Sequence, residues 1–141
     1  LLALGCYQVS LGDTIGVGTP LQTRKLFELF LAELPSDQLA LHLHDTRGTA
    51  LANALVGLEL GVRDFDSSVA GLGGCPYAPG AAGNLATEDL VYMLQRSGYE
   101  TGISLDRAIE TGKWLQEQLG RPVPGMLVKA GEFPGARRAT V

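Results

Sequence analysis

An α/β fold built on parallel strands is what this sequence predicts, and three observations lead there. Short apolar runs alternate with segments of helical periodicity, in the order strand, helix, strand, helix, strand, loop, helix, helix. Such alternation calls for parallel pairing through crossover helices. The strand-like runs end in polar side chains: Asp13 after the first, His42, His44 and Asp45 on the second, Asp66 and Ser67 on the third. After the third comes an uncharged stretch, residues 69–84, with five glycines, two prolines and Cys75. Function gathered at C-terminal strand ends is common to α/β barrels and open α/β sheets. These observations therefore fix the class and leave those two architectures open.

Taken in order, residues 1–5 read as the end of a helix, with Gly5 as its C-cap. Residues 7–11 have the look of a short buried strand, followed by Gly12-Asp13-Thr14 and a loop over residues 15–18. Thr19-Pro20 starts a helix, threonine as N-cap and proline at the first helical position. Leu21, Leu26, Leu29, Phe30 and Leu34 keep helical spacing up to Pro35. Leu39–Leu43 is the second strand. The next helix carries Ala50, Leu51, Ala54, Leu55 and Leu58 and stops at Gly61. Residues 62–69 are expected to form the third strand. Thr87 is expected to cap a helix with Glu88 and Asp89 in its first turn, where the helix dipole favours negative charge. A last helix, from about Ser104 to Leu119, puts Leu105, Ala108, Ile109, Gly112 and Leu115 on one face. Gly120 and Pro122 end it, and residues 121–141 are expected to be a poorly ordered tail.

Composition narrows the function. With 141 residues the chain holds one core, and 45% apolar with 18% charged residues is a globular balance. A net charge of −4 leaves no basic footprint for nucleic acid, and no run approaches the ~18 apolar residues of a membrane span. Cys6 and Cys75 fit no metal spacing, and free thiols in a reducing compartment are the simpler reading. No targeting signal is expected in this segment.

Both histidines of the chain lie on one strand. Side chains alternate faces along a strand, so His42 and His44 point one way while Leu41 and Leu43 point the other. Two imidazoles about 6–7 Å apart by strand rise can hold one divalent ion, completed by carboxylate, amide or water oxygens. Asp13 is either an active-site group or a turn device bonding its own backbone, and Arg47 and Asp66 are candidates for an ion pair. Gly71, Gly73 and Gly74 would let backbone approach a ligand closely. They are no dinucleotide fingerprint, because the next helix starts only near Thr87.

Residues 10–20 (SLGDTIGVGTP), 42–46 (HLHDT), 66–78 (DSSVAGLGGCPYA) and 83–90 (GNLATEDL) together closely resemble the hydroxymethylglutaryl-CoA lyase family. The resemblance implies a TIM barrel, of which residues 1–120 would be the C-terminal part, about three βα units plus C-terminal helices. A full barrel needs eight units and ~250 residues. It also implies that His42, His44 and Asn84 ligate a divalent metal, Mg or Mn. Cys75 would be the catalytic thiol, Asp13 a supporting active-site residue, and Gly71, Gly73 and Gly74 the substrate loop. The implied reaction cleaves 3-hydroxy-3-methylglutaryl-CoA into acetyl-CoA and acetoacetate. The implied setting is an acyl-CoA substrate, no nucleic acid or membrane, and a homodimer as the full-length enzyme. Its compartment would be the cytoplasm in bacteria and the mitochondrial matrix in eukaryotes. Leu43, Arg47 and Pro79 depart from the family's pattern. Two alternatives stand beside this reading: a related lyase or aldolase on another branched 3-hydroxyacyl-CoA, and a non-catalytic fragment.

Overall fold

A computed structural model of the chain describes residues 1–74 and 83–131. These fall into two compact units, residues 1–66 and residues 67–74 with 83 onward.

The first unit is a three-stranded parallel sheet in the order β1 (Val9–Asp13), β2 (Leu39–Leu43), β3 (Asp64–Asp66). The central strand buries Leu39, Leu41 and Leu43 on one face and Ala40 on the other, which it shares with His42. The sequence reading placed the first strand two residues early. Pairing with β2 instead carries β1 to Asp13, opposite Leu43, while Tyr7 stands in solvent. The third strand is shorter than the expected residues 62–69, pairing only over Asp64–Asp66.

Two helices serve this sheet. Helix α1 (Pro20–Leu31) begins at the expected cap, where Thr19 and Gln22 form a reciprocal capping box. Its buried stripe differs from the expected one: Thr23 and Phe27 are buried, while Leu21, Leu26 and Leu29 face outward. Apolar residues occur on more than one side of α1, so spacing alone does not choose the face. Helix α2 (Ala50–Glu59) buries Ala50, Ala54 and Leu58 as expected, together with Asn53, Val56 and Gly57, whereas Leu55 of the expected face is exposed. Gly57 marks the close approach of α2 to the sheet, since a Cβ there would lie 3.0 Å from Leu41 Cδ2. Before β1, a single 3-10 turn (Leu2–Leu4) ends at Gly5 in the left-handed conformation.

The second unit opens with a 3-10 turn, Val69–Gly71, followed after the loop by α3 (Thr87–Arg96) and α4 (Leu105–Leu119). Helix α4 starts at the Ser104 cap, ends at left-handed Gly120, and buries Leu105, Ile109 and Gly112 as expected. Thr87, in contrast, is the first residue of α3 and not its cap: its hydroxyl hydrogen-bonds Ser67 Oγ at 2.9 Å. Glu88 and Asp89 stand in the first turn of α3 as expected, and there Glu88 is fully buried and Asp89 nearly so. A further departure lies in the segment expected to be irregular. A short helix, α5 (Met126–Ala130), forms there, and Val123 and Val128 pack with Ala70. Residues 132–141 of that segment lie outside the described residues.

Candidate metal and lyase site

Strand β2 carries the two imidazoles on one face, with ring centroids 5.1 Å apart and the planes inclined at 67°. The register pairs His42 with Asp66 on β3, and His42 Nδ1 lies 2.5 Å from Asp66 Oδ1. That bond fixes the ring and directs the other nitrogen, Nε2, away from the carboxylate, as an outer carboxylate does for a metal-ligating histidine. His44 is buried, and its Nδ1 has no hydrogen-bond partner. Burial, with the neighbouring His42 adding to it, pulls the His44 imidazole below its ordinary pKa, against opposing pulls from Asp13 and Asp66. Near neutral pH it is therefore the uncharged imidazole, the form that binds metals.

Asp13 shows what holds the first βα loop. Its Oδ1 accepts from Val17 N at 3.1 Å and its Oδ2 from Gly18 N at 2.8 Å. The same loop is gripped from two other sides. Arg47 donates to the carbonyls of Ile15 and Gly16, and buried Asn53 donates to Gly18 O at 2.9 Å. Gly16, at φ 61°, has no room for a side chain, because a Cβ would lie 2.9 Å from His44 O and Thr46 N. Arg47 and Asp66, candidates for a mutual ion pair, thus take different partners.

In the second unit, Gly71 and Gly73 have φ of 67° and 100°, the left-handed backbone that glycine alone adopts freely. Asn84 Nδ2 donates to Leu72 O at 2.9 Å, and Gly83 N to Gly73 O at 2.9 Å, so the two stems of the glycine-rich stretch are tied together. The amide plane of Asn84 is thereby set, and its Oδ1 is buried with no partner. Gly74 is the last described residue before the break, and Cys75 lies outside the described residues.

Within the first unit the uncharged His44 imidazole has an orphaned nitrogen, and within the second the Asn84 amide has an orphaned buried oxygen; each is by its chemistry a donor that suits a divalent cation. Among the described residues no group of three or more His, Cys, Asp or Glu is arranged to hold a metal. An amide ligand such as Asn84 falls outside that set. A cavity of about 260 Å³ in the first unit is lined by Leu11, Val17, Leu26, Phe27 and Leu43. Leu41 and Leu43, on the face of β2 opposite the imidazoles, form part of its wall, and Asp13, Gln22 and Thr23 add polar groups to an otherwise mainly apolar lining.

Sequence reasoning brought forward His42, His44, Asn84 and Asp13, and left Asp66 undecided. The parity of the β2–β3 register is what assigns Asp66 to His42. Asn53 was missed altogether, and a polar residue within the apolar stripe of α2 was the signal available.

Comparison with known proteins agrees with the resemblance. The HMGL-like family model matches residues 1–114. The hydroxymethylglutaryl-CoA lyase of Pseudomonas mevalonii is 58% identical over 120 residues, 85% of this chain and 40% of that protein. That of Bacillus subtilis is 50% identical over 124 residues, 88% of this chain and 42% of that protein. Among solved structures, an HMG-CoA lyase from Acinetobacter baumannii in complex with coenzyme A and 3-methylmalate superposes with a TM-score of 0.90 at 43% identity. It covers 96% of this chain and 45% of that one. The chain spans about two fifths of the length of these curated relatives. Its parallel strands, its helices and its matched residues place it in the HMGL-like family of TIM-barrel proteins.

Proposed function

We propose that this chain supplies the metal-binding and thiol-bearing part of a hydroxymethylglutaryl-CoA lyase, with residues 1–120 as the C-terminal part of its barrel. The observation that carries this reading is the β2 pair: His42 oriented by Asp66, His44 neutral and short of a partner. The family membership and the names of the relatives support it.

In this reading His42, His44 and the Oδ1 of Asn84 hold Mg or Mn. When bound, such an ion lowers the pKa of the substrate's tertiary hydroxyl and polarises the ketone that forms. The chain's own residues have supporting and proton-donating roles. Asp66 keeps His42 in one tautomer, and Asp13 secures the loop over residues 15–18. A base removes the hydroxyl proton, the oxygen's electron pair forms the ketone of acetoacetate, and the breaking carbon–carbon bond leaves its pair on the acetyl-CoA enolate. Cys75, as the thiol, delivers its proton to the enolate carbon and is left as the thiolate. Gly71, Gly73 and Gly74 give the backbone around it the freedom to approach the substrate. The acyl-CoA substrate and a homodimeric full-length enzyme belong to the same proposal.

The test is a comparison of variants in a full-length protein that contains this chain. Cys75→Ala should leave Mn2+ affinity at the parent level while abolishing acetoacetate release. His44→Ala should weaken Mn2+ binding. Unchanged turnover in Cys75→Ala would remove the thiol from the mechanism.

A further inference from the structure

The acidic pair that opens α3 takes no part in the proposed chemistry, yet both carboxylates are buried and both are fully used. Glu88 accepts from Ala70 N through both oxygens, at 2.9 and 3.0 Å. Asp89 accepts from Met126 N at 2.9 Å and Leu127 N at 2.8 Å, holding the first amides of α5. The two grips meet at one residue. Ala70, at φ 61° the lone non-glycine residue with positive φ among the described ones, gives its N–H to Glu88 and takes Gly125 N–H on its carbonyl at 3.0 Å. Pro124, beside Gly125, bears on both stems of the glycine-rich stretch. A Cβ on Gly71 would lie 3.3 Å from Pro124 Cβ, and one on Gly83 would lie 3.5 Å from Pro124 Cγ. Between those stems run the bonds from Gly83 N to Gly73 O and from Asn84 Nδ2 to Leu72 O.

We propose that Asp89, Glu88 and Pro124 are positioning residues: they lock the segment 123–127 onto the turn at residues 69–72 and so fix both stems, with Asn84 between them. The segment after α4 thereby becomes part of the site's support. Its relevance to catalysis rests on the reading of Asn84 as a ligand, but the anchoring itself does not.

Amide hydrogen exchange of the full-length protein that contains this chain, read residue by residue by NMR, tests it. The reporters are Ala70, Leu72 and Gly83, with the interior amides of α4 as the internal reference. Asp89→Ala should speed exchange at the three stem amides by at least about tenfold while α4 stays within about twofold. Asp89→Asn, which keeps one acceptor oxygen, should fall between Asp89→Ala and the parent. Pro124→Gly, which leaves the carboxylates untouched, should speed Gly83 in the same selective way. The proposal is overturned if the stem amides keep parental rates in Asp89→Ala or Pro124→Gly. A parallel rise across stems and α4 also overturns it, since that marks a general loss of stability. Asn84→Ala separates the two readings: unaltered Mn2+ binding in that variant removes the ligand assignment, while the exchange pattern still decides the anchor.

Discussion

Asp66 illustrates how much a single contact contributes at the residue scale. Its carboxylate holds His42 Nδ1 and so selects which imidazole nitrogen is presented. Loss of such an outer partner lowers metal affinity by about 10–100-fold, and that is the expectation for Asp66→Ala in an Mn2+ titration. Glu88 makes a different prediction. Burial raises its pKa above the ordinary value, outweighing the N–H donors that favour the carboxylate. Between the ordinary and the raised value the folded state keeps a proton that the unfolded state has released, so stability falls as pH rises through that window. Denaturant melts from pH 4 upward should show this decline, and Glu88→Gln should flatten it. The histidine pair was legible from the period of two along a strand. The roles of Asp66 and Glu88 were not, because each depends on a neighbour 18 or 24 residues away whose register the local sequence does not reveal.

Among elements, α4 shows a local rule overridden by packing. Gly112 lies inside the helix, where alanine is ordinarily better by about 1 kcal/mol. A Cβ there would sit 2.5 Å from Val128 Cγ2 and 2.7 Å from Glu88 Oε1. Val128 is stiff and buried, and Glu88 is tethered to Ala70, so neither can yield cheaply. Gly112→Ala should therefore destabilise the second unit by about 1–3 kcal/mol in a urea titration, the range for overpacking. In the first unit, Phe27 is fully enclosed, and Phe27→Ala should lower stability by about 3–5 kcal/mol. The capping signals at Thr19, Ser104 and Gly120 were readable because they are local. The buried face of α1 was not, because its leucines surround the helix. Helix α5 was unreadable for a further reason: it is one turn long, and the carboxylate that caps it stands 37 residues earlier in the chain.

At the scale of the molecule, three parallel strands make an arc of sheet, and a (β/α)8 barrel needs eight. The parallel class was legible from strand–helix alternation, whereas the barrel came only from the family resemblance, since composition does not count strands that are not in view. The relatives are more than twice as long as this chain. We therefore expect the isolated 141 residues to bind metal weakly and to release no acetoacetate from hydroxymethylglutaryl-CoA, and sustained turnover would contradict that expectation. The central claim is narrower: the β2 imidazoles bind the ion, and the cysteine does not. Mn2+ titration of the full-length protein containing this chain, compared with its His44→Ala and Cys75→Ala variants, addresses it most directly. The account predicts affinity lowered by about tenfold or more for His44→Ala and left at the parent value for Cys75→Ala. Equal affinity in the parent and His44→Ala would contradict it.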